Sequence, residues 1–502
     1  MIRGGPATDR TKFEMTASQV GISGLSLSLP PYRVDLRQWC EWTNTDWEKI
    51  RQVVGTGFRL LGPQQSIYTM AANSVLRLIQ NYDVDPTRVR YLALGTESST
   101  DNSAGAVIIK GMVDSALRGL GLPPLSRNCE VPEFKHACLG GVYGLKNALR
   151  FLSTDGGDSV AIVVSSDKAL YERGSSGEPT QGAGAVAMLL SANPTIATID
   201  LGEAGTASDY RGIDFRKPLI NRNGTGASPD FVDIPVFNGK YSTGCYVDEM
   251  QRALEDMHGK RGIDAVEHIR NIAAVFMHRP YRRMPETGWG MAYLFALARD
   301  GVAGRSELAG YCDDAGVDLE DFLAEVTHAP DLAHYAVREH IGEDIYPLAL
   351  AVLKVFRRTD TFDEFVRQKM HLGSESMLEL GNLYTAALPA WFAAGLEDAR
   401  AANTDLDGKE ILLLGYGSGD AADAIPIRIV PGWQEAVDSI QLKSALSPMV
   451  DLTHDQYLAL RDRTGAAGID YAPQAEFIID RVGSEATHTF QDAGVEYYRY
   501  IE

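Results

Sequence analysis

Cysteine is scarce in this sequence, and what there is does not cluster. Five residues, Cys40, Cys129, Cys138, Cys245 and Cys312, are spread over 502 positions with no C-x-x-C pair among them. That spacing offers neither a zinc ribbon nor a disulfide framework. A long basic run is missing too. With a formal net charge of −20 the surface as a whole repels polyanions, which argues against nucleic acid as a partner. No apolar stretch reaches the ~20 residues of a membrane-spanning helix. The softest segment, 384–396, is shorter and is interrupted by Pro389. The first fifteen residues mix charge with glycine and proline and lack the apolar core of a secretory signal. No membrane contact and a cytoplasmic location are the expectation. Short-period repeats are also absent.

What is present fits a large globular chain, since 502 residues suffice for two cores or for one duplicated domain. Short apolar runs alternate with amphipathic stretches, the pattern of an α/β fold. Runs at 90–95, 159–165, 184–190, 271–277 and 411–415 predict strands covered on both faces. From 136 to 152, Leu145, Leu149 and Leu152 keep helical spacing while Gly140, Gly141 and Gly144 leave a second face bare. Each glycine weakens a helix by about 1 kcal/mol, so a helix buried between two sheets with its backbone packed close is predicted. Residues 290–371, rich in Glu, Asp, Ala and Leu, predict a helical insertion, and 431–502 an extension packed on the core.

Cys138 follows a strand-like run at 128–134 and is expected to open the glycine-rich helix. A thiol at a helix N-terminus has its pKa drawn below the usual ~8.5 and can share free N–H groups with an oxyanion. That context outweighs the bland reading of a small buried hydrophobe. Glu97, His278 and Ser418 each lie at or just past the end of a predicted strand. Ligands gather at the carboxyl ends of strands in such sheets, so nucleophile, base and polariser are expected to converge there. The run Gly415-Tyr416-Gly417-Ser418-Gly419 is not read as a dinucleotide motif, because it is incomplete and a strand-like segment follows it. His328, His334 and His340 are spaced by six, which on one helix puts them on different faces. Solvated histidines, not a metal site, are expected.

The run Gly177-Glu178-Pro179-Thr180-Gln181-Gly182-Ala183-Gly184 resembles a hallmark of 3-hydroxy-3-methylglutaryl-CoA synthases. So do Thr96-Glu97-Ser98, Lys135-His136-Ala137-Cys138, Phe276-Met277-His278-Arg279-Pro280-Tyr281, Gly381-Asn382-Leu383-Tyr384-Thr385 and Tyr416-Gly417-Ser418-Gly419, in the family's order. Asn238-Gly239-Lys240-Tyr241-Ser242 resembles a further substrate-side segment.

The resemblance implies a thiolase fold of two five-stranded halves in a layered α-β-α-β-α arrangement, normally homodimeric. The N-terminal half would be 18–200, with Glu97 and Cys138, and the C-terminal half 201–430, with His278 and Asn382. It also implies roles. Cys138 would carry acetyl from acetyl-CoA, Glu97 would remove a methyl proton, and His278 would polarise the acceptor. Ser176, Thr180, Asp214, Ser242, Arg283, Asn382 and Ser418 would bind substrate, the N–H groups of Cys138 and Ser418 forming the oxyanion hole. No metal or cofactor is required. The implied activity is condensation of acetyl-CoA with acetoacetyl-CoA in the mevalonate route. An acceptor on an acyl carrier protein is a second reading, and a catalytically silent thiolase-fold scaffold a third. The sequence departs from the family at Arg283, where a Lys is common, at Thr287, and at Ala386-Ala387, which replace Gly-Ser. Arg279, Arg282 and Arg283 are expected to supply a phosphate-binding patch.

Overall fold

The computed structural model describes residues 19–99, 101–217, 219–220, 230–231, 234–328, 330–447, 449–462, 468–469 and 471–502. The apolar runs form strands as predicted, at Val89–Gly95, Val160–Ala169, Gly182–Ala192, Ala274–Met277 and Glu410–Gly417. One run is shorter than expected. Of 271–277 only Ala274–Met277 is strand, because Asn271 ends the helix Ala265–Asn271, which the Asp264 carboxylate starts by accepting from the Glu267 N–H. The run at 128–134 pairs as a strand only over Glu133–Phe134, with an isolated bridge at Glu130. Pro132 explains the break, because it has no N–H and enters the ladder only as an acceptor from Leu94.

Ten strands make one continuous sheet. Val20–Ser28, Gly182–Ala192, Val160–Ala169, Val89–Gly95 and Glu133–Phe134 follow one another on one side. Ala274–Met277, Glu410–Gly417, Ala421–Ile429, Ala197–Ile199 and Gly205–Ser208 make up the other. The two sets are joined where Gly21 and Ile22 pair with Thr198 and Ala197. This is the duplicated α/β architecture of the thiolase type.

The helix Gly140–Thr154 lies between the two sets. A Cβ on Gly141 would stand 2.0 Å from Ser165 Oγ, and one on Gly144 2.9 Å from Val163, so these glycines admit the backbone to the first set of strands. On its other side Leu139 and Val142 crowd Gly415 of the second set. Helices Arg283–Arg299, Val302–Ala315, Leu319–His328, Leu332–Tyr335 and Pro347–Phe356 fill the region after the His278 strand. Beyond residue 430, Leu452 and Tyr457 pack with Tyr32 and Phe58, and Phe477 packs beside Ile67 and Leu94. Among the described residues no helix is long and apolar enough to cross a membrane.

Candidate active site

Strand ends and the turn before the buried helix meet at a cavity of about 520 Å³. The helix begins at Gly140, two residues later than Cys138. Ala137 takes a φ of 43°, a left-handed conformation that a residue with a side chain enters only at a cost. That turn sets the sulfur among Ala169, Tyr171, Phe215 and Tyr384. Burial pushes the Cys138 thiol well up, and the carboxylates of Glu97 and Asp167 push it further. The lowered thiol pKa expected from a helix terminus is therefore overturned: desolvation and neighbouring negative charge outweigh the dipole. The resting sulfur is a thiol that donates to Glu97 Oε2 at 3.6 Å.

Glu97 is held from three directions. Its Oε2 faces the sulfur, its Oε1 lies 3.5 Å from Lys217 Nζ, and its backbone carbonyl accepts from the same Nζ at 3.2 Å. Its backbone N–H donates to Asp167 Oδ1 at 2.9 Å. Asp167 also accepts from the Thr96 hydroxyl, from Ser98 N–H and hydroxyl, and from Thr385 N–H. Burial raises the pKa of both carboxyls, with Lys217 opposing the rise at Glu97. A carboxylate surrounded by five donors keeps its charge, so the proton goes first to Glu97.

His278 is buried at the end of its strand, and burial lowers its pKa to about 3. Its imidazole is neutral, stacks on the Tyr416 ring at 6.2 Å, and lines the cavity with Cys138. Asn382 is fixed by Thr180, whose carbonyl accepts its N–H at 2.9 Å, and its side chain bridges Tyr171 Oη and Tyr384 N. Ser242 lines the cavity with a buried hydroxyl that has no protein partner. Ser176, Thr180, Arg283 and Ser418 line it too. Gly417 packs against the His136 carbonyl and Leu139, which brings Ser418 beside the Cys138 turn. Asp214 stands behind the wall, accepting from the hydroxyl of Tyr416 at 3.0 Å.

The arginines divide. Arg283 faces the cavity, whereas Arg279 is buried with its guanidinium 4.9 Å over the Trp391 ring and bonded to Ser374. Arg279 is thus a packing residue and leaves the expected phosphate patch. Another cation reaches the cavity: Arg357, 70 positions from Thr287 in sequence, donates to Thr287 Oγ1 at 2.6 Å and lines the cavity. Burial, then Arg283, lowers its pKa to about 10, and its buried Nε is unpartnered. Asp167, Lys217 and Arg357 are not singled out by the sequence, and Tyr416 only as part of the run Tyr416-Gly417-Ser418-Gly419. Lys217 carries a weaker signal, two residues beyond Phe215 and three beyond Asp214.

Two family models match the chain: hydroxymethylglutaryl-coenzyme A synthase N terminal over residues 16–195, and C terminal over 352–476. The hydroxymethylglutaryl-CoA synthase of Haloferax volcanii is 27% identical over 410 residues, 79% of this chain and 80% of that protein. The one of Enterococcus faecalis is 25% identical over 458 residues, 91% and 95% of the two chains. Among solved structures, MvaS in complex with 3-hydroxy-3-methylglutaryl coenzyme A superposes with a TM-score of 0.73 at 24% identity, covering 96% of this chain and 99% of that one. The curacin biosynthetic pathway HMG synthase in complex with holo donor-ACP gives 0.66 at 18% identity, covering 96% and 100%.

Proposed function

The chain belongs to the hydroxymethylglutaryl-CoA synthase family, and we propose that it condenses acetyl-CoA with acetoacetyl-CoA through an acetyl-Cys138 intermediate. The observation that carries this reading is that the Cys138 thiol lines one cavity with a neutral His278 while donating to Glu97. Glu97 Oε2 holds the thiol proton until acyl transfer, when that proton passes to the departing CoA sulfur. Sulfur attacks the acetyl thioester as its proton leaves, and CoA departs as the thiol. Glu97, again a carboxylate, then takes a methyl proton from acetyl-Cys138. The enolate forms a carbon–carbon bond at the acceptor's ketone carbon. His278, uncharged, donates a hydrogen bond to the ketone oxygen as charge gathers there. Glu97 returns its proton to the alkoxide, and water cleaves the product from sulfur. The N–H groups of Cys138 and Ser418 form the oxyanion hole, and Ser242 and Asn382 orient the acyl groups.

Arg283 and Arg357 favour a CoA acceptor over a carrier protein, since two guanidiniums at the cavity suit the adenosine phosphates of CoA. Incubation with acetyl-CoA followed by intact mass tests the first half: no acetyl adduct on Cys138 would refute the proposal. Turnover on acetoacetyl-CoA against acetoacetyl-carrier protein tests the acceptor, with CoA expected to be preferred. The homodimer expected of the family, checked by light scattering, is part of the same proposal, as is a cytoplasmic place in the mevalonate route.

A further inference from the structure

Away from that cavity, the helical region carries side chains with no part in the chemistry above. His334 sits in the short helix Leu332–Tyr335, which the Asp331 carboxylate caps. Past Ala336 the chain leaves the helix through a series of turns: His340 N–H and Ile341 N–H both reach the Val337 carbonyl, and Glu343 N–H reaches that of His340. A separation of six, which on one helix would spread the rings over different faces, here closes a loop. The rings of His334 and His340 stack with centroids 4.0 Å apart and planes at 27°. His340 Nδ1 is 2.9 Å from Glu343 Oε1. One nitrogen of each ring and one oxygen of Glu343 lie within 4.8 Å of one another. His328 is not part of the group; its Nδ1 faces the Ala324 carbonyl at 2.9 Å.

Two imidazoles and a carboxylate are the donor set of a three-ligand zinc site. Around a tetrahedral ion at ~2.0–2.1 Å, donor atoms stand about 3.4 Å apart. The side chains therefore have to rearrange to reach that spacing, the 2.9 Å His340–Glu343 pair by moving apart. His334 and Glu343 are exposed and His340 is half-buried, so rotamer changes can supply that movement. Solvent is free to take the fourth position. We propose that His334, His340 and Glu343 bind a divalent transition-metal ion of the zinc class. The site adjoins the cavity through the chain itself. Asp344 follows Glu343, pairs with Lys240 at 3.0 Å, and lines the cavity with Ile345 and Tyr346. A bound ion would fasten the loop that leads into that wall. Because imidazole binds metal in its neutral form, acid would release the ion.

The test uses the full chain without an affinity tag, stripped of metal and titrated with cobalt(II) by visible absorption and with zinc(II) by calorimetry. The expected result is one equivalent bound in a four-coordinate environment, weakened at least ten-fold in His334→Ala and in His340→Ala. Glu343→Gln weakens it in the same direction. None of the three positions is buried, and circular dichroism checks that the variants keep the fold. Absence of binding by the wild-type chain would overturn the proposal. So would a His334→Ala/His340→Ala double variant that keeps wild-type affinity, which would place the ion elsewhere, such as at the buried Asp214, Cys245 and Asp420.

Discussion

Cys138 and Glu97 stand 41 residues apart in sequence, yet the sulfur of one lies 3.6 Å from a carboxylate oxygen of the other. The contact makes each residue dependent on the other's charge. The negative carboxylate holds the thiol protonated. In the proposed reaction the carboxyl acts as a carbon-acid base only after the sulfur has been acylated, and the order of the two half-reactions follows from this electrostatic dependence.

Cys138→Ser should keep the fold, because the substitution nearly conserves volume, but should form no acetyl adduct and no condensation product. The alcohol is a weaker acid than the thiol in the same buried, carboxylate-flanked place. Intact mass after acetyl-CoA exposure and a condensation assay give the answer.

Glu97→Ala should separate the steps. Removing a negative charge from beside the sulfur stabilises the thiolate, so acetylation should persist with its pH dependence shifted down. Condensation should fall by ~100-fold or more, the size of a general-base contribution. Single-turnover acetylation and steady-state condensation, measured on the same variant, distinguish the steps.

Condensation by the wild-type enzyme should rise with pH through the elevated Glu97 pKa, since only the deprotonated carboxyl takes the methyl proton. Lys217 opposes that elevation. Lys217→Met should therefore move the acid limb of the pH–rate profile to higher pH, with acetylation less affected. A profile that does not move would make Lys217 a structural residue only.

Much of this site is legible in the sequence because its parts lie at strand ends, and strands announce themselves by short apolar runs. Cys138, Glu97 and His278 are found that way. Asp167 is not, since it sits inside the strand Val160–Ala169 and acts only once folding brings Thr96, Ser98 and Thr385 to it. Arg357 is hidden for the same reason, its partner Thr287 lying 70 residues away. The direction of the thiol's pKa is not legible in the sequence, because a helix dipole can be inferred from spacing, whereas burial and two facing carboxylates cannot. The separation of His334 and His340 misleads in another way: spacing describes faces only while the helix continues.

Arg357→Ala and Arg283→Ala should each raise KM for CoA substrates, by about ten-fold for a charged hydrogen bond lost, with a smaller effect on kcat. The increase should shrink as salt rises, because exposed phosphate charge is screened. Arg279→Lys should instead lower stability through lost stacking on Trp391, with KM unchanged. Kinetics at two ionic strengths, together with urea midpoints, separate the two outcomes.

Gly141→Ala should destabilise the chain despite favouring a helix. The added methyl would stand 2.0 Å from Ser165 Oγ and 2.9 Å from Thr385 Oγ1. Overpacking costs about 1–3 kcal/mol, against a gain of at most about 1 kcal/mol in helix propensity. A lower urea midpoint with an unchanged slope is the expected result.

The helix Gly140–Thr154 has a consequence for how the protein comes into being. Its Leu139, Val142 and Leu145 share one apolar cluster with Ile22 and Val163 on one side and with Leu412 and Ile425 on the other. Neither set of strands owns a finished interior, since the wall of each is supplied through the same helix. A fragment ending near residue 200 would therefore carry a bare oily face until its complement arrived. Two separately produced halves should be insoluble alone and recoverable only when refolded together. The two sets of strands form one continuous sheet, and the apolar cluster around this helix belongs to both.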